Sequence, residues 1–254
     1  MELNKLSQIA SLSEAVLQQV EQTKRDTAKI FRVLKETRTL TATNTFQAHV
    51  RVTGTDLLIV VATPGPWDDD QGIRAVVASY DGVVHLDEFL PVGAPLSESR
   101  QGGGGRRYAA VFREAPQVNV VIHVHTPYLG GWAAAHRVFP LNYAAAQRVT
   151  LARELPVYID RRQPESRFIL DALAADPHVP AVLEANGGAT FFGPRLLQSA
   201  QWILLFEEGA YFQALGENLG GVQPFGEGVL EQQWRMTGLW EEGRKLIQHQ
   251  RAPS

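Results

Sequence analysis

Cysteine is absent from the 254 residues, which excludes disulfide scaffolds, thiolate metal sites and cysteine nucleophiles. Long apolar runs are absent too. None approaches the roughly 18 residues that span a bilayer, and the opening MELNKLSQIASLSE lacks a signal-peptide core. Charge of one sign is not in excess. With 24 basic and 27 acidic side chains, a net charge of −3 and a pI near 6.2, there is no electrostatic footprint for nucleic acid or an anionic membrane. The expectation is a soluble cytoplasmic protein without nucleic-acid or membrane partners. Composition is ordinary for a globular chain, 44% hydrophobic and 20% charged, at a length that suits one sizeable core and is short for two.

Strand and helix patterns alternate without repeats or a composition break, so one α/β domain is expected over residues 1–254. Residues 1–38 read as helix interrupted at most once. Leu6, Ile9, Leu12, Val16 and Val20 recur every three or four positions, Ser11 or Ser13 can cap, and Lys24, Arg25 and Asp26 form a solvated face. Val50 and Val52, followed by the apolar run Leu57–Ala62, predict a hairpin with a well-buried second strand. Asp68, Asp69 and Asp70 resemble a cation site, but carboxylates this close in an exposed loop are more simply solvated. A second hairpin, 75–80 and 83–86, turns at Asp81-Gly82. Four glycines, Gly102 to Gly105, precede a helix expected over 107–114. Such backbone either cradles an anion or is slack, and both readings stay open. No Gly-Lys-Ser/Thr follows, so it is not a Walker loop. Beyond it the pattern predicts a strand at 118–122, helices at 128–136, 143–154 and 165–174, and strands at 157–159, 181–185 and 189–192. A long helix at 196–215, apolar on more than one face, suits an element between the sheet and another subunit. A C-terminal helical extension, 216–254, is anchored by Trp234 and Trp240.

Two of the seven histidines end strand 118–122 as His123-Val124-His125. Period two in a strand places both imidazoles on one face. There they can converge on a divalent ion, and neutral imidazole suits zinc or iron. Two ligands do not complete a site. The plainer reading has both rings bonding backbone groups or lining an apolar pocket.

The stretch FREAPQVNVVIHVHTPYLGGWAAAHRVFPLNY resembles the core of the class II aldolase/adducin family, in which a helix and proline-ended loop lead into a strand closing on H-x-H. LIVVATPG is similar to that family's strand ending in Thr-Pro-x-Gly, YDGVVH to its strand-turn-strand, and PLSE to its Ser-Ser-Glu. VLEANGGATFFG and the helix carrying Glu207 and Glu208 are similar to its Asn-His-Gly strand-turn-strand and final helix. The resemblance runs over residues 25–215. It implies an α/β fold, a single-domain α/β/α sandwich with a central, mostly antiparallel sheet, assembled as a homotetramer with sites between subunits. It also implies a small-molecule substrate and a divalent metal, commonly zinc, held by three histidines. The metal polarises an enediolate in aldol or retro-aldol chemistry while a glutamate acts as acid/base.

Residue by residue, the resemblance makes His123 and His125 the paired metal ligands. The third histidine falls on Gly187, which has no side chain to offer. Counting back from Phe112, the family's histidine position holds Tyr108 and its glutamate position Gly104. Glu98 takes the glutamate's role if the glycine loop is an insertion, and as a ligand it would make a two-histidine, one-carboxylate set of the non-haem iron type. Glu184, Asn186 and His49 are the other candidates to complete the site, each with an ordinary alternative as surface carboxylate, turn former or solvent-facing ring. The phosphate-binding asparagine has no counterpart beyond Gln47 and His49, which argues against a sugar phosphate. Tyr143, the candidate catalytic tyrosine, sits one residue early. Tyr128 and Trp132, four apart on a helix, either pack the core or a subunit interface or line a pocket for an aromatic or apolar substrate.

Three functions follow. The first is a divalent-metal-dependent lyase, with zinc or iron(II), cleaving or decarboxylating a small carbonyl or hydroxy acid. The second is a non-haem iron oxygenase or oxidative decarboxylase acting on an aromatic acid. The third is a non-catalytic scaffold, as in adducin.

Overall fold

The structure is a computed structural model that describes residues 12–68 and 72–251. Leu6, Ile9, Ser11, Asp69 and Asp70 lie outside the described residues. Helix α1 (Glu14–Glu36) starts at Ser13, whose hydroxyl accepts the Val16 N–H. It buries Val16, Val20, Thr23, Thr27, Ile30 and Leu34, the stripe that three- and four-residue spacing dictates. Two antiparallel hairpins follow, β1 (Phe46–Arg51) with β2 (Leu57–Ala62) and β3 (Arg74–Ser79) with β4 (Val84–Asp87). A 3-10 turn (Leu96–Glu98) leads to helices α2 (Gly102–Arg107) and α3 (Ala109–Glu114). Strand β5 (Val120–Val124) carries the histidine pair into α4 (Pro127–Ala134).

The remaining strands are the small ladder β6 (Phe139–Pro140) with β7 (Glu154–Leu155), then β8 (Val157–Tyr158), β9 (Ala181–Glu184) and β10 (Ala189–Gly193). The remaining helices are α5 (Ala144–Gln147), α6 (Glu165–Ala175), α7 (Leu196–Glu217), α8 (Glu227–Thr237) and α9 (Trp240–Arg251). Eight strands make one sheet in the order β4-β3-β2-β1-β5-β10-β9-β8, antiparallel throughout except for the parallel β8–β9 edge. This is the mostly antiparallel α/β arrangement expected.

Register assigns the two faces, because residues paired across a ladder point the same way. Ala48, Ile122 and Phe191 form one row, and Phe191 packs at a tilt against Phe206 of α7, so this face carries α7 and the apolar core. Gln47, His123 and Thr190 form a row on the opposite face, beneath α2, α3 and α6.

The glycine run is not slack: all four glycines are helical. A Cβ on Gly105 would stand 2.2 Å from the Ser79 carbonyl oxygen, and one on Gly102 would stand 2.3 Å from the Gly82 carbonyl oxygen. Missing side chains therefore let α2 lie directly on the backbone of the β3–β4 hairpin, and the helix begins at Gly102 rather than at 107. The helix expected over 143–154 also differs. Only Ala144–Gln147 is helical, and Leu141 and Pro140 take the following segment into the β6–β7 ladder and its flank. Tertiary pairing there overrides local propensity.

Two substitutions in the glycine helix separate packing from propensity. Gly103 has nothing within 4 Å of a built Cβ, so Gly103→Ala raises stability by about 0.5–1 kcal/mol. Gly105→Ala is expected to destabilise by about 1–3 kcal/mol, because the methyl meets a carbonyl that cannot retreat from its ladder. Urea unfolding of both variants checks the opposite signs.

Candidate metal centre

His123 is the fourth residue of β5 and His125 follows the strand's end, where its N–H donates to the Thr45 carbonyl at 3.1 Å. The two rings meet edge to face with Nε2 atoms 3.1 Å apart. The other ring nitrogen of His123, Nδ1, lies 2.6 Å from Glu184 Oε1 and 3.3 Å from the Thr190 hydroxyl. Burial and the neighbouring His123 hold the His125 pKa below the usual imidazole range, which favours the neutral, ligating form at pH 7.

Glu184 ends β9, almost fully buried, and both its oxygens are engaged. Oε1 accepts from Thr190 at 2.7 Å besides its contact with His123, and Oε2 faces Arg161 Nη1 at 3.1 Å. Burial alone would raise this carboxyl. The hydrogen bonds from His123, Thr190 and Arg161 hold it far below the ordinary carboxylate range instead. A second buried carboxylate, Glu165, opens α6 and lies 2.6 Å from the same Thr190 hydroxyl. Tyr108 donates to Glu165 at 3.0 Å, and Arg107 pairs with it at 3.1 Å. Burial, and then the charge of Glu184, push the Glu165 carboxyl up. Thr190 lies within hydrogen-bond reach of both carboxyls and, with one proton, donates to one of them at a time.

His123, Glu165 and Glu184 each present a ligand atom, all within 4.8 Å of one another. The carboxylates stand on the Nδ1 side of His123, whereas the histidine pair converges on its Nε2 side, where two imidazole nitrogens 3.1 Å apart suit a divalent ion.

The other expected residues are placed as follows. Glu98 is exposed in the 3-10 turn and lies outside this cluster. Tyr143 sits against α7, donating its hydroxyl to Glu208 at 2.6 Å. Trp132 is buried against Phe139 and beneath Arg137, a packing role, whereas Tyr128 is exposed and tilts onto Tyr211. Asn186, in the left-handed region with φ 54°, reaches His136. A side chain at Gly187 would project toward Glu184 and Arg161 Nη2, and one at Gly188 would strike the Val124 carbonyl oxygen and the His125 ring. His49 is fully buried, edge-on to Tyr108, with Nε2 3.2 Å from Gln47 Oε1. Glu165, Thr190 and Arg161 were not evident from sequence. A first-turn glutamate, a strand threonine and a loop arginine are ordinary until the sheet register assembles them. Glu184, a charge inside the apolar run AVLEA, was the one signal.

An eight-stranded, mostly antiparallel sheet with a bis-histidine strand end defines a class II aldolase-type fold. The profile of the family described as "Class II Aldolase and Adducin N-terminal domain" matches residues 88–214, half of the chain, and the protein belongs to this family. Among solved structures, an L-fuculose 1-phosphate aldolase is 20% identical, with a TM-score of 0.62 over 89% of this chain and 98% of that one. YgbL from Escherichia coli, described as a candidate aldolase/epimerase/decarboxylase, is 16% identical, with a TM-score of 0.61 over 85% and 99%. The L-fuculose 1-phosphate aldolase from Glaciozyma antarctica PI12 is 16% identical, with a TM-score of 0.62 over 94% and 92%. Comparison with curated proteins gives no match. Among the described residues no helix is long and apolar enough to cross a membrane.

His49 gives this site a pH signature. Burial, then the charge of Arg107, pushes its pKa from 6.5 down to about 3. Between these values the unfolded chain binds a proton that the folded chain refuses, so stability is lost as pH falls from 6.5 toward 3. In His49→Phe that part of the acid sensitivity is absent. The urea midpoint should fall less between pH 6.5 and 4.5 than in the wild type, and an equal fall would refute the assignment.

Proposed function

We propose that the protein is a divalent-metal-dependent lyase that cleaves or decarboxylates a small carbonyl or hydroxy acid. The observation that carries this reading is the 3.1 Å convergence of His123 Nε2 and His125 Nε2 at the end of β5. His123 and His125 would hold the ion, and a bound ion there would supply Lewis-acid polarisation of a carbonyl oxygen. His125, kept neutral by burial, offers a lone pair rather than a charge. Arg161 is half-exposed beside Gly187, laid over the Tyr158 ring, and tied to Glu184 and to the Ala185 carbonyl. Its guanidinium would bind and orient a substrate carboxylate at the rim. Gln47 and His49 are turned to each other within the fold, which supports an acid over a sugar phosphate.

The test is metal content after anaerobic purification, beside a His123→Ala/His125→Ala double variant. Near-stoichiometric metal that the double variant loses is the expected result. Zinc supports the lyase and iron would turn the reading to the oxidative alternative. No metal in the wild type after reconstitution with zinc and ferrous iron would sink both and leave a scaffold.

A homotetramer is part of the proposal. Tyr128, Tyr211, Phe212 and Tyr143 form a continuous chain of ring contacts on and beside α7, and Leu215 and Leu219 extend its exposed apolar surface. A patch of this kind on a soluble domain suits a subunit contact. Light scattering of Phe212→Glu should show a smaller species than the wild type. An unchanged mass would place the interface elsewhere.

A further inference from the structure

We propose that Glu184 is a positioning residue that fixes the tautomer of His123. This rests on the metal reading of the histidine pair. A histidine can present Nε2 to an ion only if its one proton stays on Nδ1, and a carboxylate at Nδ1 is the group that keeps it there. Glu184 Oε1 stands 2.6 Å from His123 Nδ1. That is a hydrogen-bond separation, short for two ligands sharing one ion. Glu184 therefore stands behind the ring and not beside the ion, and the lone pair of Nε2 points at His125 Nε2, 3.1 Å away.

The carboxylate is itself immobilised. Thr190 donates to Oε1 at 2.7 Å, Arg161 donates to Oε2 at 3.1 Å and reaches on to the Ala185 carbonyl at 2.9 Å, so Glu184 cannot rotate away from the ring. A charged group inside a β-strand end costs desolvation, and only a partner on each oxygen offsets it. The structure supplies those partners at a place where the chain also has Gly187 instead of an imidazole. A Cβ at 187 would stand 3.4 Å from the Glu184 Cβ and 3.6 Å from Arg161 Nη2, so the two residues border the space beside this glycine.

The variant Glu184→Gln inverts the logic while keeping the shape. Arg161 would hold the amide oxygen, leaving the NH2 group facing His123 Nδ1, which must then accept and move its proton to Nε2. Long-range 1H–15N correlation of the imidazole rings in metal-free protein at pH 7.5, assigned with His123→Asn, reads the tautomer directly. The expected result is the Nδ1–H form in the wild type and the Nε2–H form in Glu184→Gln. Zinc affinity, read by competition with a chromogenic chelator, should fall about tenfold or more in the variant. An Nε2–H or doubly protonated His123 in the wild type overturns the proposal, as does a zinc affinity in Glu184→Gln within twofold of wild type. The wild-type tautomer decides the point even if the variant does not fold. A wild type that shows the Nδ1–H form yet binds no zinc would refute the metal reading while leaving the role of Glu184 at the ring in place.

Discussion

Side chains opposite one another on an antiparallel ladder share a face, and this constraint gathers the polar centre. β5 is flanked by β1 on one side and β10 on the other, both antiparallel, so Gln47, His123 and Thr190 stand in one row across the middle of the sheet. A slip of one residue in either ladder would turn that row into the apolar core beneath α7. The apolar row Ala48, Ile122 and Phe191 on the reverse face fixes the register, because only one setting buries it.

A row of polar groups in a sheet interior must be satisfied from above, and the helices of the polar face do this. Glu165 comes from the first turn of α6, Tyr108 from the junction of α2 and α3, and Arg107 from the last turn of α2. Their reach depends on α2 lying against the hairpin backbone, which the glycines at 102 and 105 permit. The glycine run thus acts on the site at a distance, by setting how close Tyr108 and Arg107 come to the sheet. Buried carboxylates with this many donors are held in one arrangement, since losing a single donor would leave a charge without a partner.

The departures from the family pattern form a linked set. The resemblance places a histidine at Gly187 and another at Tyr108, and Glu184 stands within a strand that is otherwise apolar. In space they belong to one network: Arg161 and Glu184 border Gly187, Glu184 meets Thr190, and Thr190 meets Glu165, which Tyr108 caps. Read singly, each looks like the loss of a function. Joined, they describe one hydrogen-bonded network of carboxylates behind the His123 ring.

The strand alternation, the stripe on α1, the Asp81-Gly82 turn and the strand-end histidine pair were legible because each depends on neighbours a few residues away in the chain. The family resemblance rested on five such local patterns in order. The end of helix 143–154 and the packing of the glycine segment were not legible, since pairing of 139–140 with 154–155 and the close approach of α2 to the Ser79 carbonyl join residues that no local window contains. The same holds for the site. Sequence by itself determined that His123 and His125 share a face, because period two in a strand is a property of the backbone. Only the tertiary structure decided that Glu184, Thr190, Glu165 and Arg161 gather behind His123, because ladder register and helix packing are set by burying the whole core at once.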